Sequence, residues 1–451
     1  MQDVFAEIDR NRVTYVERLR GLVRQPSVAA QGRGVAEARA EVTRLAEGAG
    51  ATVVEVPTSG QSVLWMDFGG KGPRTVNVYN HYDVQPADPL ELWTAEPFDV
   101  TERDGKLFGR GVADDKGSLV ARICALEAFR TVRGDLPLRV RIAAEGEEEI
   151  GSPHLDEFVD SFEPTLREAD AVVWEGSMKN IAGQVELELG GKGLLYVEFV
   201  ARGAARDEHS MWGGLVPNPA WRLVRMLNDL VSPEGHVAIP GFYDSVRDID
   251  ETISRLLDAF PFDAAGEREA RGLRAWQRGI TDAQAGRELR LGSTSNIAGF
   301  ASGYGGPGAK TVIPALGRVK MDFRLVPDQD PASIAGALRD WMTARGYGDV
   351  ELTVVASQRP SRGRADHPLV TATVRAGEQL GLDCRVSPNT AGTGPIYPMC
   401  DRLGLPMVSG EAVARSSSLF HSPDEHIHVD DLFEGMKHFV TLLDLYSRSE
   451  T

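Results

Sequence analysis

The sequence predicts a layered α/β fold interrupted by an inserted domain. Three observations carry this reading. Short apolar segments that read as strands alternate with helical patterns through the first part of the chain. Gly190, Gly191 and Gly193 then punctuate it, and a polar Pro/Gly-containing stretch follows at Arg359–Gly363. Finally, 451 residues are too many for one ordinary core and suit two domains.

The elements follow in order. Phe5, Ile8, Val13, Val16, Leu19 and Val23 recur at helical spacing until Pro26 stops the pattern, and a second helix is expected over Val35–Gly48. Strands are expected at Thr52–Val56, Val63–Phe68, Thr75–Tyr79, Leu138–Ala143 and Ala171–Trp174, with a helix over Ser118–Arg130. After the glycines come a strand at Leu194–Val200, helices at Ala220–Leu230 and Asp248–Phe260, a strand at Val319–Leu325 and a helix at Pro331–Arg345. The expected division is 1–189 and 363–451 for a split catalytic domain, with 190–362 inserted between its halves.

Composition narrows the function classes. Hydrophobic residues at 42% and charged residues at 25% give the balance of a globular protein. Lys and Arg total 49 against 66 Asp and Glu, a net charge of −17, which a phosphate backbone would repel, so nucleic acid is not an expected partner. Cys124, Cys384 and Cys400 lie far apart without a C-x-x-C pair, which suits a reducing compartment. MQDVFAEIDRNR carries charges where a signal peptide needs an apolar stretch, and no apolar run approaches the ~18 residues of a membrane span. The expected location is cytoplasmic, with no membrane partner.

Three expected strands run directly into metal-capable side chains. Thr75–Tyr79 leads to Asn80-His81-Tyr82-Asp83, Leu138–Ala143 to Glu145-Gly146-Glu147-Glu148-Glu149, and Ala171–Trp174 to Glu175. In open α/β sheets the site lies beyond the carboxyl ends of the strands, so such a gathering exceeds what solvated loops produce. An Asp two residues after a histidine can fix the tautomer of a metal-bound imidazole, although a lone H-x-D is more often an ordinary strand end. In Gly109-Arg-Gly-Val-Ala-Asp114-Asp115-Lys-Gly117, Asp115 suits a helix cap and Asp114 suits a ligand whose two oxygens bridge two cations. Four carboxylates within Glu145–Glu149 repel one another unless cations or protons neutralise them. His421-Ser-Pro-Asp-Glu425-His426-Ile-His428 is a second histidine-rich spot whose members composition does not rank.

Other motifs mislead. Gly303–Thr311 looks like a phosphate-binding loop, but Ala309 separates Gly308 from Lys310 and Val-Ile-Pro314 follows where a helix should start. The chain has no G-x-S-x-G and no H-E-x-x-H. His154, His236 and His438 stand alone and read as surface or packing histidines.

Taken together, the motifs resemble those of the dinuclear metallopeptidases that include carnosinase-type dipeptidases, glutamate carboxypeptidase, aminoacylase and succinyl-diaminopimelate desuccinylase. H-Y-D-V-Q-P at His81–Pro86, G-R-G-V-A-D-D-K-G at Gly109–Gly117 and E-E-I-G-S at Glu148–Ser152 carry the likeness. R-D-E-H-S at Arg206–Ser210, K-T-V-I-P at Lys310–Pro314, R-L-V-P at Arg324–Pro327 and H-S-P-D-E at His421–Glu425 complete it, in family order.

The resemblance implies a central, mostly parallel sheet flanked by helices and an inserted α+β, ferredoxin-like lid and dimerisation domain. It implies two divalent ions, zinc with manganese or cobalt as alternatives. His81, Asp114 and Glu175 would hold one, and Asp114, Glu149 and His421 the other. Asp83 would orient His81, and Glu148 would be the general base for a water shared by the metals. His209 would reach the site of the partner subunit in a homodimer, and Thr311, Arg324, Gly392 and Thr393 would grip the substrate carboxylate. The implied reaction is hydrolysis of a peptide or amide bond next to a free carboxylate. Glu175 is typical of carboxypeptidase and deacylase branches, whereas E-G-E-E-E-I-G-S and K-T-V-I-P are closer to dipeptidases. A dipeptidase or carboxypeptidase is the expected activity; an N-acyl amino acid deacylase and a non-catalytic binding protein are the alternatives.

Overall fold

The computed structural model describes residues 1–260 and 262–449. The expected end of the second catalytic segment, at Thr451, lies outside the described residues. A six-stranded mixed sheet forms the centre, in the order Thr52–Val56, Val63–Gly69, Arg139–Glu145, Thr75–His81, Ala171–Trp174 and Met407–Ser409. The first two pairings are antiparallel and the remaining three parallel. Parallel pairing points the strands Arg139–Glu145, Thr75–His81 and Ala171–Trp174 the same way, so their carboxyl ends share one edge of the sheet. The strand Met407–Ser409 comes from the far end of the sequence, which returns the chain to this sheet after a long excursion.

These segments fold as strands because they are rich in valine and other apolar residues, with Asn77, Asn80 and Arg141 as buried polar exceptions. Thr75–His81 is buried at every position after Thr75, as a strand covered on both faces must be. One cover is the helix Lys116–Arg133, most of whose residues are buried. The expected N-terminal helix is two helices, Gln2–Arg10 and Arg12–Val23. The break is at Asn11, whose side-chain amide donates to the Glu7 carbonyl at 2.9 Å and so competes for a helical acceptor.

A separate four-stranded antiparallel sheet lies between residues 193 and 358, with its own hydrophobic cluster. Its strands in chain order are Gly193–Arg202, Thr294–Ser302, Leu316–Leu325 and Glu351–Gln358. In space the fourth lies beside the first, then come the third and the second. With the helices Pro219–Leu230 and Pro331–Ala344 packed on it, this is the β-α-β-β-α-β ferredoxin-like arrangement. Along Leu316–Leu325, Val319, Met321, Phe323 and Leu325 face the helices, which turns Asp322 and Arg324 to the open face. Beyond the expected helix, found as Glu251–Ala259, two further helices occur at Ala264–Ala270 and Asp282–Leu291. Among the described residues, no helix is long and apolar enough to cross a membrane.

Candidate metal centre

His81 ends its strand fully buried. Its Nδ1 lies 3.1 Å from the Asp83 carbonyl oxygen and 3.4 Å from Asp83 Oδ1; its Nε2 lies 2.9 Å from Asp114 Oδ1. The Asp83 carboxylate also accepts the backbone N–H groups of Glu148 and Glu149, at 3.2 and 3.0 Å. It therefore ties the histidine strand to the short Glu148–Ile150 turn. On the other side of Asp114, Oδ2 lies 3.1 Å from His421 Nε2, which is also 3.1 Å from Glu149 Oε2.

Two groups of potential ligand atoms result, each with its atoms within 4.8 Å of one another. One comprises His81, Asp114 and Glu175; the other comprises Asp114, Glu149 and His421. Asp114 is common to both. The donor chemistry, imidazole plus carboxylate oxygen, fits zinc or manganese. An independent sign of fit is Glu175 Oε1, which is buried and has no hydrogen-bond partner among the described residues. A buried oxygen so placed is destabilising unless something electropositive reaches it.

The electrostatics carry the same mark. Burial opposes charge on His81, yet hydrogen bonds to Asp114 and Asp83 outweigh it and raise the imidazole well above its ordinary range. Hydrogen bonds to Asp114 and Glu149 lift His421 to about 10. Burial lifts the Glu148 carboxyl to about 8, and burial with the Glu148 charge beside it raises Glu175 well above the usual carboxylate range. Asp114 goes the other way: despite burial, its hydrogen bonds to His421 and His81 hold it below the ordinary range. The cluster thus uses protons for the charge balance that cations can supply.

Several supporting residues escaped the sequence reading. Glu425 is buried; it accepts backbone N–H groups from Gly111, Ala113 and Asp114 and pairs with Arg110 at 2.7 Å, so it shapes the loop that presents Asp114. Gln85 donates to Glu149 Oε2 at 2.9 Å. Both residues stand inside motifs already quoted, which was the available signal. Asp115, expected to cap a helix, makes no side-chain cap; its carboxylate accepts from Asn80 Nδ2 at 2.6 Å instead. Of the C-terminal histidines, His421 alone joins the ligand groups, while His426 lies 3.2 Å from Lys106 Nζ and His428 precedes the last helix. His421 has φ of 57°, a left-handed conformation that costs a non-glycine residue on the order of 1–3 kcal/mol. His154 is not isolated either, since it pairs with Glu147 at 2.7 Å.

The remaining predicted residues form two separate groups. Arg324 Nη1 donates to Thr393 Oγ1 at 2.6 Å, and the neighbouring Gly392 carbonyl accepts the Lys192 N–H at 2.9 Å. Gly394 follows, against the Trp174 indole that precedes Glu175. His209 instead pairs with Val312 in a small bridge beside Thr311, and its ring is exposed. The two groups flank opposite ends of the Leu316–Leu325 strand, about 30 Å apart at ~3.3 Å per residue. Within one chain, His209 and Thr311 are therefore not brought to Arg324.

Residues 78–445 match the description of peptidase family M20/M25/M40. The chain is 29% identical to the Cys-Gly metallodipeptidase dug1 of Schizosaccharomyces pombe, over 98% of this chain and 97% of that protein. It is 32% identical to the Beta-Ala-His dipeptidase of Rattus norvegicus, over 59% of this chain and 54% of that protein. In structure it is similar to the M20 family metallo-carboxypeptidase Sso-CP2 from Sulfolobus solfataricus, with a TM-score of 0.92, 32% identity and coverage of 96% and 99% of the two chains.

Proposed function

The chain belongs to peptidase family M20/M25/M40, and from that premise we propose that it is a two-metal dipeptidase cutting beside a free C-terminal carboxylate. The observation that carries this reading is the sharing of Asp114 between two three-residue ligand groups. His81, Asp114 and Glu175 would hold one cation, and Asp114, Glu149 and His421 the other. When bound, such ions supply Lewis acidity and make water a stronger acid.

The rest of the chemistry belongs to side chains. Among the described residues no hydrogen bond engages the Glu148 carboxyl, although it stands between groups that are tied down; this supports its role as general base. It takes a proton from the attacking water and returns it to the leaving amine. Arg324, with Thr393 and Gly392, suits the substrate's carboxylate, because a planar guanidinium binds one with two parallel donors. His209 and Thr311 lie too far along the strand to serve their own Arg324. A homodimer in which each His209 stabilises the partner's oxyanion accounts for that distance. Three unpaired cysteines, Cys124, Cys384 and Cys400, suit a reducing cytoplasm.

A second reading, removal of the C-terminal residue from longer peptides, is favoured by the likeness to the metallo-carboxypeptidase. The test is a panel of dipeptides, longer peptides and N-acyl amino acids, assayed after metal stripping and again with zinc or manganese. Chelator-sensitive cleavage confined to dipeptides supports the first reading. Cleavage of longer peptides selects the second, and activity on N-acyl amino acids alone replaces both with a deacylase.

A further inference from the structure

Beyond Arg324 lies a cavity of about 300 Å³ that the proposed reaction leaves unused. Arg324, Lys192, Trp276 and Leu289 are among the residues that line it. Leu194 pairs with Arg324 across the sheet, and Lys192 lies two residues earlier, just before the Gly193–Arg202 strand begins. Lys192 and Arg324, with Arg271 and Arg278, border this one cavity.

Lys192 is unusual for a cation in being 3% exposed. Its ammonium donates to the carbonyl of Gly292, just past the end of the Asp282–Leu291 helix, at 2.5 Å. That bond uses one of three donors. Among the described residues, no carboxylate forms an ion pair with it. The acids lining the cavity are committed elsewhere: Glu288 to Arg278 at 2.9 Å, and Glu267 to Arg271. Arg324 reaches its nearest carboxylate, Asp322, only at 3.8 Å. In a chain of net charge −17, an under-paired buried cation is a costly thing to keep without a use. Burial pulls the Lys192 ammonium down to about 8, with Glu288 opposing and Arg324 and Arg278 adding to the fall. An anion beside it would relieve all of these.

We propose that this cavity receives the side chain of the substrate's C-terminal residue, and that Lys192 selects a carboxylate there. Peptides ending in aspartate or glutamate are then the preferred substrates. Arg324 holds the main-chain carboxylate, Lys192 the side-chain carboxylate, and Trp276 and Leu289 pack against the methylene groups between them. This rests on the peptidase reading, so the test separates the two.

The experiment uses the metal-loaded full chain. It measures kcat/KM for Ala-Glu and its neutral isostere Ala-Gln, and binding of free glutamate and glutamine by calorimetry. Wild type should favour Ala-Glu over Ala-Gln by at least about tenfold, the value of one modest charge-assisted contact. Lys192→Met should bring that ratio near one, and Lys192→Arg should keep it above one. Equal rates on the two dipeptides with wild type, a comparison that needs no variant, overturn the proposal. So does an equal loss on both with Lys192→Met, which would place Lys192 on the main-chain carboxylate. If neither dipeptide is cleaved but glutamate outbinds glutamine in a Lys192-dependent way, the peptidase reading fails and the cavity assignment stands.

Discussion

Arg122 and Glu411 form an ion pair at 2.9 Å with neither side chain exposed to solvent. The same guanidinium donates to the carbonyls of Tyr79 and Trp174, at 2.9 and 2.6 Å, and to Asn80 Oδ1 at 2.9 Å. It thus clamps the ends of the two strands that deliver His81 and Glu175. Arg122→Met should lower unfolding stability by about 3–5 kcal/mol, because it strands a buried carboxylate. The double variant Arg122→Met, Glu411→Leu should recover part of that loss. Urea denaturation checks both; a single variant as stable as wild type contradicts the clamp.

Glu148→Gln keeps the size of the side chain and removes its basicity. Zinc content should stay at the wild-type level while kcat falls by about 10²–10⁴, the usual value of a general base. Elemental analysis and steady-state kinetics read the two quantities separately. Loss of metal together with activity would make Glu148 a ligand instead.

His209→Ala should fold, bind metal and lose about 10²–10³ in kcat, as removal of one oxyanion donor does. Mixing it with Glu148→Gln subunits should restore activity, since one site of each mixed dimer is then complete. Size-exclusion chromatography identifies the dimer, and activity that fails to return on mixing contradicts a histidine shared between subunits.

The protonation pattern gives a pH prediction for metal-stripped protein. The folded-state value of His421 is raised from 6.5 to about 10, so its contribution is fully present below 6.5 and is lost as pH rises through about 10. Glu148 is raised from 4.5 to about 8, so the folded state holds a proton that the unfolded chain releases above 4.5. Both effects have one sign: stripped protein should lose stability as pH climbs from about 5 to 9. Cations replace those protons, so the gain in Tm on adding zinc should widen over the same range. A flat stability profile for stripped protein would count against the balance described.

How much of this was legible in the sequence depends on what each feature requires. Strands that run into His81, Glu145–Glu149 and Glu175 are visible because an apolar run and its polar end lie side by side in the chain. The alternation along Leu316–Leu325 is equally local. Arg122 gave no such signal: mid-helix in the sequence, it acts only because the helix packs across two strand ends. Glu425 and Gln85 lay inside recognised motifs, but their contacts cross hundreds or tens of residues. The helix Asp282–Leu291 has a capping box at Thr281 and Gln284 that was readable, yet buries only Ala285, so its apolar pattern was too thin. Lys192 sits among glycines that read as punctuation, and its cavity exists only once the later helices fold over it.

Two cations sharing Asp114 are the foundation of the proposed chemistry. The most direct measurement is anomalous scattering at the zinc edge from crystals of metal-loaded protein, with elemental analysis of the same sample. Two peaks per chain are expected, one on either side of the Asp114 carboxylate, with loss of both sites' full occupancy in Asp114→Ala. A single peak, none, or two ions that persist undiminished in Asp114→Ala would contradict it.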